Sequence, residues 1–262
     1  MNFLNLLNIR LDDLSDQELR QTLLNYLNST SSKTIVTPNP EFLLMARHDK
    51  NFADILNRAD LSLPDGAGLE YAVAALTDRY LTNRHTGVDS LDLLASMGGR
   101  LALIGSSSEV AREAAKKLKN KHPQTDFVVI DPGIVSIDGS APLNVMEEIK
   151  SFDPKIIAVA LGQRKQEKFI AKILPQLPNI RIAIGIGGAL DMIAGLYPRA
   201  PYFLRRAGLE WLWRLFREPK RWPRIFRAVI VFPAIVVWAT LLKHQFWQAV
   251  FKTIKIWTDK KR

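Results

Sequence analysis

The chain has 262 residues, 47% hydrophobic and 24% charged, enough to bury a core as one large domain or two small ones. It has no cysteine, which excludes disulfides and thiolate metal sites. The net charge of +10 is unevenly placed: residues 206–262 hold 13 Lys/Arg against 3 Asp/Glu and all six tryptophans, whereas residues 1–205 are neutral. A neutral body with a basic, Trp-rich tail points to a polyanionic or membrane partner.

The N-terminal "MNFLNLLNIRLDDLS" lacks a basic region ahead of an apolar core and a small-residue cleavage site, so no secretory signal is expected and the protein is placed on the cytoplasmic side. In "DDLSDQELRQTLLNYL", Ser15 and Glu18 form a capping-box pattern ahead of apolar residues at helical spacing. "KTIVTPN" is a β-branched run stopped by proline, "PEFLLMARHDKNFADILNRA" reads as a helix, and "DLSLPDG" as a strand entering a turn. "AGLEYAVAAL" and "GVDSLDLLASM" are helical, and "RLALIG" then "SSSEVAREAAKKLKNK" is strand, Gly105 turn and serine-opened helix. The alternation continues through "DFVVIDPG", "APLNVMEEIKSF", "KIIAVALG", "QRKQEKFIAKIL" and "RIAIGIGGALDMIAG". Short apolar strands separated by helices imply an α/β fold, a mostly parallel, Rossmann-like sheet flanked by helices, over residues 1–205.

Residues 206–262 read as an appendage. "EWLWRLFREPKRWPRIFRAV" mixes arginine with tryptophan, and the apolar run 228–242 follows. Fifteen helical residues reach about 22 Å, short of the roughly 30 Å of a bilayer core, and Pro233 interrupts them; a span is not expected. In "KHQFWQAVFKTIKIWTDKKR", Phe246, Trp247, Val250, Phe251, Ile254 and Trp257 recur at helical spacing with lysines between them, the pattern of a helix lying in a membrane interface. A helix pair packed on the body is the plainer alternative.

In an open parallel sheet, ligands bind beyond the carboxyl ends of the strands. "TPNPE", "LPDGAG", "IGSSSE", "LGQRKQE" and "IGIGGALD" fall there. Gly105 and Ser106 open a helix whose backbone N–H groups could cradle phosphate, though glycine also ends strands for steric reasons. Asp65 in Pro-Asp-Gly is either a turn residue or a general base. Asn39 is a helix cap or a ligand hydrogen bonder, and Arg84 pairs with a phosphate or with Asp89. The four histidines show no ligand spacing and no strand is followed by a D-x-D pair, so no metal site is expected and phosphates fall to Arg, Lys and helix N-termini.

"TPNPEFLLMA", "ADLSLPDGAGLEYA", "RHTGVDSLDLL", "LGQRKQE", "IGIGGALDMIAGLYPRAP" and "GLEWLWRLFREPKRWPR" occur in this order, and together they resemble the WecG/TagA/CpsF family, glycosyltransferase family 26, over about residues 33–227. The resemblance implies an inverting, metal-independent transferase without cofactor. It would move N-acetylmannosamine or its uronic acid from UDP to undecaprenyl-diphosphate-linked N-acetylglucosamine, for teichoic acid or exopolysaccharide. By motif, Asp65 is the implied base. Thr37 and Asn39 line the pocket, and Arg84 and Gln166 contact sugar or diphosphate. Glu167, Gly105, Ser106 and Asp191 count as further substrate-binding candidates. Arg214, Arg221 and Arg224 sit in the appendage that covers the site and meets the lipid diphosphate. Arg164 stands where the family usually has proline, which would loosen the loop or add a phosphate contact and leaves the donor sugar in question.

These implications place the protein peripherally on the cytoplasmic face of the membrane, bound to anionic lipid, with a homo-oligomer left open. Two rivals remain: a nucleic-acid binder stacking tail tryptophans on single strands, which leaves the run 228–242 without a role, and a non-catalytic, membrane-docked nucleotide-binding regulator.

Overall fold

The computed structural model describes residues 2–140, 142–197, 200–207, 209–218, 222–242 and 245–259. Six strands form one parallel sheet: β3 (Lys33–Val36), β4 (Leu61–Ser62), β5 (Gly99–Gly105), β6 (Thr125–Ile130), β7 (Ile156–Ala160) and β8 (Ile182–Gly185), in the order β4-β3-β8-β7-β5-β6. The α/β reading therefore holds. Alternate side chains enter opposite layers, because strand periodicity is two. Leu101, Leu103, Ile156, Ala158, Ile182 and Ile184 join one core with helices α1 (Asp16–Leu27), α5 (Gly87–Ala95), α6 (Ser108–Lys121) and α9 (Ala189–Ala194). Ala102, Ile104, Ile157, Val159 and Ala183 join another with α7 (Leu143–Phe152) and α8 (Lys165–Ile173).

Strands β3 and β4 run outward on one side, β5 and β6 on the other, and the late strands β7 and β8 fill the middle. In such sheets ligands bind beyond the carboxyl ends of the strands, and β3 and β8 lie side by side near the middle of this one. Register is held by pairs such as Ile35 with Ile184 and Ala158 with Leu103.

Local chemistry accounts for the helix starts. Ser15 and Glu18 make the capping box ahead of α1, with the Glu18 carboxylate accepting the Ser15 N–H at 2.8 Å. The stretch read as one helix at 40–59 is two, α2 (Pro40–Ala46) and α3 (Lys50–Arg58). Asp49 causes the break: its extended backbone and the bond its carboxylate accepts from Phe52 N–H (3.0 Å) begin a new helix.

Sequence periodicity also missed a hairpin. The first residues form antiparallel β1 (Phe3–Leu6) and β2 (Ile9–Asp12). The hairpin covers the β4 edge: the Ser62 N–H donates to Asp12 Oδ2 at 2.8 Å and the Ser62 hydroxyl to the Arg10 carbonyl at 2.6 Å.

The tail comprises α10 (Tyr202–Arg206), α11 (Glu210–Arg217), α12 (Trp222–Phe226), a π-helical turn (Arg227–Val231), α13 (Phe232–Leu242) and α14 (Phe246–Asp259). Here the length argument is corrected. Trp222–Leu242 is one 21-residue helix, long and apolar enough to cross a membrane. Pro233 does not stop it, because the wider π turn just before absorbs the missing N–H and the ring. One face of this helix is engaged: Phe232 and Val236, with Ala249 of α14, enter the core shared by β1, β2, α2, α3 and α4 (Ala67–Leu76). Packing on the body and an exposed apolar face thus coexist.

Candidate functional site

A cavity of about 410 Å³ lies where β3, β4, β7 and β8 end. Thr37, Asn39, Asp65, Arg84, Gln166 and Arg224 all line it, drawn from four separate segments and the tail. Two short ties bring the first loops together. The Asp65 N–H donates to the Pro38 carbonyl (2.8 Å), and the His85 N–H to the Pro64 carbonyl (3.1 Å).

The Pro-Asp-Gly turn places Gly66, at φ 90°, as N-cap of α4. Asp65 therefore precedes the cap rather than forming it, and sits half-buried in the wall. Asn39 satisfies both of its readings: its Oδ1 accepts the Phe42 N–H at 3.1 Å as cap of α2, while the residue lines the cavity. The Thr37 hydroxyl donates to the Gly185 carbonyl (3.1 Å), joining β3 to β8. Arg84 pairs with Glu70 of α4 (Nε to Oε2, 3.1 Å) and not with Asp89, which partners Thr86 at the start of α5. An arginine held by one acid at the cavity wall is positioned for a second anion.

Gln166 and Glu167 are both 1% exposed. The Gln166 amide N–H donates to Glu167 Oε1 (2.6 Å) and its carbonyl accepts the Gly187 N–H (3.0 Å). Both ends of the amide are thus engaged with protein, and Gln166 supports the loop after β8 more than it offers a ligand contact. A Cβ on Gly185 would lie 2.5 Å from Gln166 Nε2 and 2.7 Å from Glu167 Oε1, so only glycine allows this pair to pack. Burial pushes the Glu167 carboxyl up to about 7.

The remaining candidates separate from the cavity. Gly105 has φ 96°, and a Cβ there would stand 2.8 Å from the Ala160 carbonyl oxygen, which is the steric reading of this glycine. The Ser106 hydroxyl donates to Asp191 Oδ1 at 3.1 Å, a pair across the ends of β5 and α9 that is not among the lining residues. Arg214 falls on α11, its side chain outside the described residues, and Arg221 lies outside them altogether. Arg164 also stands off the cavity, with its Nε 4.0 Å from Asp49. Its φ of 68° is closed to proline, whose ring fixes φ near −65°. Of the two roles expected of Arg164, a looser loop or a phosphate contact, the structure shows its guanidinium turned to Asp49 and away from the cavity.

Among the wall residues that sequence reading passed over are Glu41, Gln163, Tyr71 and Trp211. Glu41 and Gln163 lie inside the motifs quoted for their neighbours, and only the fold shows that they meet, Gln163 donating to Glu41 at 3.0 Å. Among the described residues no three His, Asp or Glu side chains gather as a metal would require.

A parallel α/β sheet with a crevice at the strand ends, walled by an acid, arginines and amides, is the arrangement in which α/β enzymes bind their ligands. The chain belongs to the glycosyl transferase WecG/TagA/CpsF family, whose model matches residues 4–246, further in both directions than the motifs alone. It is 31% identical over 205 residues to the N-acetylglucosaminyldiphosphoundecaprenol N-acetyl-beta-D-mannosaminyltransferase of Bacillus subtilis strain 168, covering 77% of this chain and 78% of that protein. It is similarly related to the proteins of that name from Bacillus spizizenii (32% over 224 residues, 84% and 82% covered) and Staphylococcus aureus strain MW2 (29% over 201 residues, 75% and 77% covered).

Proposed function

We propose that this protein transfers N-acetylmannosamine, or a related sugar such as its uronic acid, from UDP to undecaprenyl-diphosphate-linked N-acetylglucosamine in cell-wall or exopolysaccharide synthesis. The supporting observation is the convergence of Asp65, Arg84, Asn39 and Thr37 on one cavity roofed by Trp211 and Arg224 of the tail. The names of the relatives carry the choice of substrates.

Asp65 takes the proton of the acceptor hydroxyl as its oxygen attacks the anomeric carbon from the face opposite UDP. One C–O bond forms, the bond to UDP breaks, and configuration inverts. The charge that grows on the departing diphosphate is met by Arg84 and Arg224, with no metal ion and no cofactor. Residues 1–205 bind the nucleotide-sugar, and residues 206–262 form the lid and lie on the anionic cytoplasmic face of the membrane. The exposed Trp222, Phe226, Trp238, Trp247 and Phe251 favour the interfacial layer and the lysines and arginines favour anionic lipid.

The decisive experiment measures transfer from UDP-N-acetylmannosamine to a short-chain lipid-diphosphate N-acetylglucosamine, with EDTA present. Asp65→Asn is expected to lower kcat by roughly 10²–10⁴-fold, the usual worth of a general base. Full activity in that variant would reduce Asp65 to a turn residue, and loss of wild-type activity in EDTA would remove the metal-free step.

A further inference from the structure

The cavity wall holds a buried acid with no part in the proposed chemistry. Glu41, the second residue of α2, is 6% exposed. Its Oε2 accepts two bonds, from Arg224 Nε at 2.9 Å and from Gln163 Nε2 at 3.0 Å. Its Oε1 is buried without a partner among the described residues, and so is Gln163 Oε1.

The contact with Arg224 is one-sided. Only Nε touches the carboxylate, and neither terminal nitrogen of the guanidinium has a partner among the described residues. An arginine retained simply to pair with a carboxylate commonly closes the fork, placing two N–H groups on two oxygens. That turn would also satisfy Glu41 Oε1, whose isolation is otherwise costly. Here the fork stays open and the cost stands. Arg224 is meanwhile a lining residue of the cavity, half of its side chain exposed.

We infer that Glu41 is a positioning residue, which holds Arg224 by Nε so that both terminal nitrogens are left for a diphosphate in the cavity. Gln163 braces the carboxylate from the α8 side. Two parallel N–H groups on a planar fork match two phosphate oxygens, which a lysine cannot do. Arg224 belongs to the tail and Glu41 to the body, so the pair also couples tail docking to diphosphate binding. The inference rests on the reading of this cavity as a transferase site. The diphosphate belongs either to UDP or to the lipid acceptor.

The test is a double-mutant cycle on the full chain: wild type, Glu41→Gln, Arg224→Lys and the pair together. Affinity is measured by calorimetry for UDP and, separately, for geranylgeranyl diphosphate, a lipid diphosphate without sugar; kcat and KM for transfer are measured in parallel. Glu41→Gln is expected to weaken one of the two ligands about tenfold, as loss of a charge-assisted contact does. Arg224→Lys should weaken the same ligand as much, and the double variant should be no worse than Arg224→Lys. The ligand affected identifies the source of the diphosphate. The kcat/KM for transfer should fall to the same degree in all three variants while the melting temperature holds. Additive losses, loss of neither ligand, or tighter binding in Glu41→Gln would each overturn the inference, the last by making the pair a closed gate. Absence of transfer in the wild type with coupling intact in the binding cycle would instead sink the proposed substrates and leave the positioning role standing.

Discussion

Strands β7 and β8 bury every residue between two helical layers, whereas the helix Trp222–Leu242 buries Phe232, Val236 and Thr240 and turns Trp222, Phe226, Ile230, Trp238 and Leu242 outward. The body follows the ordinary logic of a water-soluble core, in which apolar area is removed from water on both faces of the sheet. The tail satisfies that logic along one stripe only. Its remaining apolar residues stay exposed, on a segment of the chain that also carries most of its net positive charge. The contrast separates hydrophobic residues that hold the tail on the body from those left exposed, which the proposed function assigns to a lipid surface.

The sharpest way to break this contrast is to remove the stripe. Phe232 is 1% exposed and shares its core with β1, β2 and helices α2 to α4. Phe232→Ala should cost about 3–5 kcal/mol, as truncation of a buried phenylalanine does, read as a drop in the urea midpoint. A loss below about 1 kcal/mol would mean that the tail sits loosely and that its docking is incidental to the fold.

The body offers a second, slightly smaller effect. Burial raises the Glu167 carboxyl from 4.5 to about 7 in the folded protein. A raised carboxyl binds its proton more tightly folded than unfolded. Its contribution is therefore complete below pH about 4.5, declines across the window up to about 7, and is lost above it. The difference is on the order of 3 kcal/mol. Glu167→Gln, neutral throughout, should gain stability relative to wild type as pH rises through that window. A difference in melting temperature between the two that stays flat from pH 4.5 to 8 would show that the carboxyl is solvated.

These two cases mark what sequence could and could not reveal. The strands and most helices were legible because their apolar residues recur at the right period and because Ser15 and Asn39 cap as their chemistry requires. The β1–β2 hairpin was not, since four-residue strands with Asn and Arg in them carry too little pattern, and its partner edge lies fifty residues away at Ser62. The motifs placed Asp65, Asn39, Thr37 and Gln166 at strand ends and named Arg84 beside them, and the fold does gather them. What no motif conveyed is that Gln166 spends its amide on Glu167 and Gly187, or that Glu41 meets Arg224 across 183 positions. Such contacts depend on where α12 crosses the body, which is a tertiary fact. The length of the apolar helix was misread for a related reason: charges at Arg224 and Arg227 mark an end in sequence, while the backbone runs on through a π turn.

The gentlest test addresses the outward face alone. Trp238 is 65% exposed on α13, two residues beyond the buried Val236, so Trp238→Ser removes surface aromatic area without opening the core. Stability should change by less than about 0.5 kcal/mol. Partition onto vesicles containing anionic lipid should fall roughly tenfold, because an indole that enters the interface gives up apolar contact with water and serine does not. The same variant measured on single-stranded RNA discriminates the remaining use of a basic, tryptophan-rich surface: loss of RNA affinity with unchanged vesicle binding would transfer the outward face from lipid to nucleic acid. Loss on vesicles alone ties the exposed stripe to the membrane, where the lipid-linked acceptor resides and where Arg224, on the same continuous helix, faces the cavity.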